Sequence, residues 1–273
     1  MLLPAVMRIS VFGLGYVGAV SSACMAAGSH EVIGVDKNAT KVELIRNGHS
    51  PIIEAGVDEI IRDASADGRL KATTSTAEAI QGSEISLVCV GTPSEHNGSL
   101  KLDYVRKVCE EIGTALRDVD RYHVVVIRST ILPGTMRSVV IPTLEQYSRK
   151  QANVDFGVCF NPEFLREGTA VNDYYHPPKT VVGESDSRAG DKLLKLYEGL
   201  TAPVFRTSLE AAELVKYVDN TWHALKVGFA NEIGSIAKAL SIDSFSACQV
   251  LSTYFTISAV SSEVRNTGAV SPS

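Results

Sequence analysis

No apolar run in the 273-residue sequence approaches the roughly 18 residues that a membrane-spanning helix needs, so no membrane span is expected. Charge of one sign is not in large excess either. Against 26 Lys and Arg stand 31 Asp and Glu, a net charge of -5, which argues against a broad attraction to nucleic acid or an anionic membrane. The five cysteines, Cys24, Cys89, Cys109, Cys159 and Cys248, are odd in number, scattered, and form no C-x-x-C pair. Neither a disulfide framework nor a metal site is therefore expected, and the pattern suits buried, reduced thiols in a cytoplasmic protein. The opening stretch MLLPAVMRIS is too short for a secretory signal and lacks its basic flank. Met7, just before the first apolar run, can serve as a start. The apolar content is that of a globular chain, and the length suits one large domain or somewhat more.

Within that frame the first half alternates two kinds of pattern. Short apolar runs at 8–13, 30–36, 85–93 and 123–130 read as strands, and helical patterns lie between them, notably DYVRKVCEEIGTAL from Asp103 to Leu116. Continuous apolar runs suit parallel strands buried on both faces, and the alternation implies a mostly parallel sheet with helices on both sides. The first strand runs into VFGLGYVGAV, with glycines at 13, 15 and 18. Gly13 permits a tight turn, Gly15 lets the backbone approach a pyrophosphate, and Gly18 lets the following helix sit close to the sheet. Amides at the start of that helix then face the phosphates. Asp36, at the end of the second strand, can accept hydrogen bonds from both hydroxyls of an adenosine ribose and would repel a 2′-phosphate. These features predict a Rossmann-type doubly wound α/β unit that binds NAD. Lys41 either touches a cofactor phosphate or is simply solvated.

Ligands in such sheets lie beyond the carboxyl ends of the strands. Two further ends carry small polar residues, GTPS at 91–94 and RSTILPGT at 128–135. Thr92 and Thr130 can offer hydroxyls there, or can be plain turn residues. A strand ending near Phe160 then leads into NPEFLREG. Glu163 and Glu167 stand four apart and on a helix would share a face. They read either as a solvated helix start or as a general base and a ligand contact. KTVVGE and APVFRT read as two more strands.

From Thr207 to Leu240 the chain holds no proline. Thr207 and Glu210 form a capping-box pattern. Val215, Val218, Trp222, Leu225, Phe229, Ile233, Ile236 and Leu240 recur at helical steps. A helix of that length spans about 50 Å and suits a spine between domains or a dimer contact. Lys216, Asn220 and His223 flank the stripe on one line, as a polar cleft wall or a solvated flank. The stripe needs a cover, so self-association is expected unless a partner chain supplies one. A stable monomer by light scattering would contradict this.

FGLGYVG, CVGTPS, RSTILPGT, NPEFLREG and AAELVKYVDNTWHALKVGFANEI, in this order, resemble the nucleotide-sugar 6-dehydrogenases of the UDP-glucose and GDP-mannose dehydrogenase family, over about residues 7–245. The resemblance implies NAD contacts at Tyr16, Val17, Asp36, Lys41, Thr92 and Thr130. It implies contacts to the sugar nucleotide or product carboxylate at Glu167, Lys216, Asn220, His223 and Asn231, and water or proton handling at Glu163. The implied reaction oxidises a primary alcohol at C6 to a carboxylate with two NAD. It passes through a cysteine thiohemiacetal and a thioester, with Lys216 and Asn220 stabilising the oxyanion. The fuller match, through DFGVCFNPEFLREGTA and the Trp222–His223 pair, is to members acting on GDP-mannose, whose product is GDP-mannuronate, an alginate precursor. UDP-glucose is the alternative substrate, and a homo-oligomer through the spine helix is implied for the full-length form.

The sequence departs from the family at the nucleophile. No GGxCLPKD-type segment comes after the spine, and Cys248 in SACQVLS lacks its glycines and its Lys-Asp. The expected organisation is an NAD-binding domain over 7–206, a spine over 207–243 and a divergent tail over 244–273, without a second nucleotide-binding domain. A non-catalytic NAD-binding remnant therefore stands beside the dehydrogenase reading, and the expectation for this polypeptide is NAD binding with little complete turnover.

Overall fold

The computed structural model describes residues 6–94 and 100–243; Cys248 and the tail from 244 lie outside the described residues. The chain divides into two compact units, one ending at Lys216 and the other beginning at Tyr217.

The first unit is built on an eight-stranded sheet: β1 (Arg8–Phe12), β2 (Glu31–Val35), β3 (Leu70–Thr73), β4 (Ile85–Val88), β5 (His123–Ile127), β6 (Phe156–Phe160), β7 (Thr180–Glu184) and β8 (Val204–Thr207). Their order is β3-β2-β1-β4-β5-β6-β7-β8. Every neighbouring pair is parallel except β6 and β7, which are antiparallel. The order reverses direction between β1 and β4, the switch point at which such sheets open a crevice at their carboxyl ends.

The helices obey the same logic. They are α1 (Tyr16–Ala27), α2 (Ala39–Arg46), α3 (Val57–Ala66), α4 (Thr76–Gly82), α5 (Asp103–Leu116), α6 (Ile141–Ser148), α7 (Ala170–Tyr175), α8 (Ser187–Leu194) and α9 (Leu209–Ala239). Two apolar layers sandwich the sheet. One joins Ile9, Val11, Val124 and Val126 to α1, α3 and α8. The other joins Phe12, Val88, Val125 and Ile127 to α4, α5, α6 and the head of α9. Alternate strand residues thus point to opposite layers, both of them apolar, which is why the strands read as unbroken hydrophobic runs.

Three expectations need correction. The runs at 85–93 and 123–130 overshoot, because the strands stop at Val88 and Ile127. Cys89 and Val90, just beyond β4, stay apolar because they line the crevice. The edge strand β3 gave no signal of its own, being four residues, LKAT. Finally, α9 is not capped by Thr207, which ends β8. Ser208 does it, its Oγ accepting the Ala211 N–H at 3.2 Å, while Glu210 turns to Arg137.

The second unit contains the remainder of α9. There Val218, Trp222, Leu225, Phe229, Ile236 and Leu240 are each more than half exposed. No helix among the described residues is long and apolar enough to cross a membrane.

Candidate functional site

The turn after β1 is shaped by what its glycines exclude. Gly13 has φ +93°, and a Cβ there would sit 3.0 Å from the Cys89 carbonyl oxygen. A Cβ on Gly18 would lie 1.8 Å from the Gly13 carbonyl oxygen, so only glycine lets α1 approach the turn. Gly15 is different: an added Cβ meets nothing within 4 Å. The space in front of Gly15 is therefore empty of protein. Gly15 is also the N-cap of α1, which has no side-chain cap and no acid in its first turn. The first-turn amides, including those of Tyr16, Val17 and Gly18, lack acceptors within the helix. An uncapped helix start beside open space is a cradle for an anion.

That space is a cleft of about 400 Å³ reached by Gly13, Gly15, Asp36, Lys41, Cys89 and α5, within the usual size of a cofactor site. Asp36 is fixed rather than free. Its Oδ2 accepts the Leu14 N–H at 2.8 Å and its Oδ1 accepts the Asn38 N–H at 2.9 Å, and Lys41 Nζ lies 3.9 Å from Oδ2. Each carboxylate oxygen keeps a lone pair for a ribose hydroxyl. The residues present thus fit a dinucleotide: a backbone cradle for pyrophosphate and a pre-aimed carboxylate for ribose.

The structure divides the other sequence-expected residues among separate places. Thr92 and Thr130 come together, with Thr92 Oγ1 donating to the Thr130 carbonyl at 2.7 Å, but the lining of the cleft on this side ends at Gly91. The Tyr16 side chain leaves the cleft. Its hydroxyl donates to Glu54 Oε2 at 2.7 Å, with the Arg166 carbonyl at 3.0 Å, and it lines a second cavity with Glu54 and Glu167. Burial and then the Glu54 carboxylate push the Tyr16 phenol up.

Glu163 and Glu167 do not share a helix face. Residues 161–166 have no helical structure, and α7 begins only at Ala170. Pro162 and the buried anchor Asn161 hold this stretch open. Asn161 Nδ2 donates to the Val181 carbonyl at 2.8 Å, and its Oδ1 accepts from Arg128 and Tyr197 at 2.5 Å each. Glu167 consequently faces solvent while Glu163 turns inward. Lys216 Nζ donates to Glu163 Oε1 at 2.9 Å and to the Glu163 carbonyl at 2.6 Å, and Oε2 accepts the Leu165 N–H at 2.8 Å. The two side chains are only 9% and 11% exposed. Two of the three ammonium N–H bonds are thereby used, leaving one to point elsewhere.

A buried pair of this kind is costly to break from one side. Lys216→Met is expected to lower stability by about 3 kcal/mol. Adding Glu163→Gln should recover part of that loss, because no carboxylate is then left unpaired. Thermal unfolding of the single and double variants checks this.

Asn220, His223 and Asn231 lie on α9 within the second unit, all exposed. Among the described residues no group of three or more His, Cys, Asp or Glu could hold a metal ion. Four cysteines are described, all free. Burial pushes the thiols of Cys24, Cys89 and Cys109 up to about 12 and that of Cys159 up as well, the reverse of what a nucleophile needs.

Two further residues that hold these loops were not singled out in the sequence. Glu54 accepts from the Gly168 and Ala170 N–H groups at 2.8 and 2.9 Å, capping α7 from more than a hundred residues away. Glu213, fully buried, accepts from the Gly134 and Met136 N–H groups at 2.6 and 2.8 Å, tying α9 to the loop after β5. An acid inside the apolar part of a helical pattern was the available clue for Glu213; Glu54 offered none.

Comparison with known proteins decides the family. Residues 7–201 match the NAD binding domain of the UDP-glucose/GDP-mannose dehydrogenase family, and residues 210–267 match its central domain. The chain belongs to that family. It is 58% identical to a GDP-mannose 6-dehydrogenase of Pseudomonas putida over 237 residues, 87% of this chain and 54% of the relative. A solved ternary complex of GDP-mannose dehydrogenase from Pseudomonas aeruginosa matches with a TM-score of 0.89 and 53% identity, over 90% of this chain and 57% of that one. A UDP-glucose dehydrogenase from Pyrobaculum islandicum matches with a TM-score of 0.86 and 38% identity, over 91% and 57%. The chain thus spans about half the length of these relatives. As a family member with an NAD-binding domain it uses NAD, and the cleft at Gly15 and Asp36 is where its residues fit that cofactor.

Proposed function

We propose that this chain is part of an NAD-dependent nucleotide-sugar 6-dehydrogenase that takes GDP-mannose to GDP-mannuronate, a precursor of alginate, in the cytoplasm. The observation that carries the reading is the uncapped start of α1, open at Gly15 and flanked by the fixed carboxylate of Asp36. The preference for GDP-mannose over UDP-glucose is supported by the higher identity to GDP-mannose dehydrogenases.

When bound, NAD accepts the hydride leaving C6. The chain's own residues do the rest. The first-turn amides of α1, from Tyr16, Val17 and Gly18, hold the pyrophosphate, and Asp36 accepts the ribose hydroxyls. Lys41, 3.9 Å from Asp36, takes a role at the cofactor on the resemblance. Lys216, steadied by Glu163, has one N–H left for a developing oxyanion, and Glu163 takes the role in handling water or a proton that the resemblance implies. Glu167, Asn220, His223 and Asn231 take roles at the sugar nucleotide, and Thr92 and Thr130 at the cofactor, on the resemblance alone. Association of two copies through the exposed face of α9 belongs to the same reading.

A second reading, a non-catalytic NAD-binding unit, is favoured by one observation: none of the four described thiols is in a state to attack an aldehyde. One experiment separates the two. The 273-residue chain is titrated with NADH and then assayed for NADH formation with GDP-mannose and with UDP-glucose. The expected result for this polypeptide is NADH binding without complete turnover. Two NADH formed per GDP-mannose would establish the four-electron reaction and a working thiol. Turnover with UDP-glucose alone would reverse the substrate assignment, and absence of NADH binding would sink both readings.

A further inference from the structure

The cofactor cleft carries more charge than NAD alone calls for. Lys37 comes directly after Asp36, and a cation beside the ribose carboxylate is what a site for a 2′-phosphate requires. Yet this ammonium is engaged elsewhere. Lys37 Nζ lies 2.5 Å from Glu111 Oε1, reaching from the end of β2 across to α5, and Glu111 Oε2 accepts from Thr76 Oγ1 at 3.2 Å. Lys37, Thr76 and Glu111 all line the cleft that holds Gly15 and Asp36. The neighbouring cation, Lys41, lies 3.9 Å from Asp36 itself. Both ammonium groups next to the ribose position are thus set against carboxylates.

We propose that Glu111 is a specificity-determining residue that favours NAD over NADP, acting through Lys37. It draws the Lys37 ammonium to the far wall, so that a 2′-phosphate meets the Asp36 carboxylate while the adjacent ammonium is committed elsewhere. Asp36 alone repels the phosphate. Glu111 removes one of the two ammonium groups able to compensate for it. The inference rests on Asp36 facing the adenosine ribose.

The pair is solvent-exposed, with side-chain exposures of 59% and 34%, so its removal is a small perturbation of the fold. Glu111→Gln also keeps an oxygen for Thr76. Calorimetric titration of the full chain with NADH and with NADPH tests the idea. Glu111→Gln is expected to raise NADPH affinity about threefold to fivefold, at most about 1 kcal/mol, while NADH affinity changes less than twofold. Adding Lys37→Ala should return NADPH affinity to that of the unaltered chain, and the gain should shrink with added salt. Unchanged NADPH affinity in Glu111→Gln overturns the proposal, as does a gain that survives Lys37→Ala. If the unaltered chain fails to bind NADH at all, the placement of the cofactor falls and the proposal falls with it. Intact NADH binding with no NADPH response removes only the role of Glu111.

Discussion

Gly15→Ser is expected to leave the unfolding temperature unchanged or slightly raised while weakening NADH binding tenfold or more. The two effects have separate causes. Gly15 sits at φ -79° and ψ -165°, an extended conformation open to any residue, and an added Cβ touches nothing. Serine is moreover a better N-cap than glycine by a few tenths of a kcal/mol. Its hydroxyl can accept from the same first-turn amides that a pyrophosphate would use. The gain in helix capping is therefore the loss in cofactor binding. Gly18→Ala should behave in the opposite way. Its Cβ would lie 1.8 Å from the Gly13 carbonyl oxygen, within the backbone of the turn itself, so stability should fall by about 3 kcal/mol or more. Thermal unfolding and NADH titration on both variants separate the roles. Undiminished NADH affinity in Gly15→Ser would mean that the phosphates do not sit on the start of α1.

The contrast also marks what could be read from the sequence. The spacing of three glycines after an apolar run fixes the turn because backbone geometry there is local, and each glycine answers a constraint within a few residues. The same holds for α5, expected and found over Asp103–Leu116. Locality fails at Glu163 and Glu167. Their spacing of four suited a helix, but Asn161 is anchored to β7 and Arg128, and these ties override the local pattern. It fails for Tyr16 too, whose ring is drawn toward Glu54 by a hydrogen bond across 38 positions. Lys37 and Glu111 are 74 apart and meet only because α5 packs beside the switch point. Residues whose work depends on the chain path are legible once the sheet order is known, and not before.

Acid should weaken the first unit well before its carboxylates titrate, and His123 is the principal reason. This residue opens β5, is fully buried, and ends a line of hydroxyls running through the sheet. Its Nε2 is 2.7 Å from Ser86 Oγ, which is 2.7 Å from Ser10 Oγ, and Ser10 Oγ is 2.9 Å from Ser83 Oγ. Ser83 Oγ is a donor toward Ser10 Oγ and toward the Ala79 carbonyl, the latter at 2.7 Å, and the Nε2 contact with Ser86 serves either tautomer of the ring. Nδ1 has no hydrogen-bond partner. Protonating the ring would place a cation in the core, next to Arg121 and Lys192. The Ser83 carbonyl, the group best able to help, already accepts from Arg121. Burial first, and these two cations second, lower the His123 pKa from 6.5 to about 3. The unfolded chain therefore binds a proton that the folded chain refuses throughout this interval, and stability rises with pH across it. The contribution is fully present above pH ~6.5 and falls by about 1.4 kcal/mol per pH unit below it, reaching about 5 kcal/mol near pH ~3. Between pH ~7 and ~5 the expected loss is about 2 kcal/mol. His30, whose pKa burial also lowers, adds slope of the same sign. His123→Asn cannot charge and keeps a donor for Ser86. It should be less stable at neutral pH by about 1 kcal/mol, yet lose less on acidification. Urea midpoints at the two pH values measure the difference, and an unchanged pH slope in His123→Asn would show that the buried ring is not what the acid attacks.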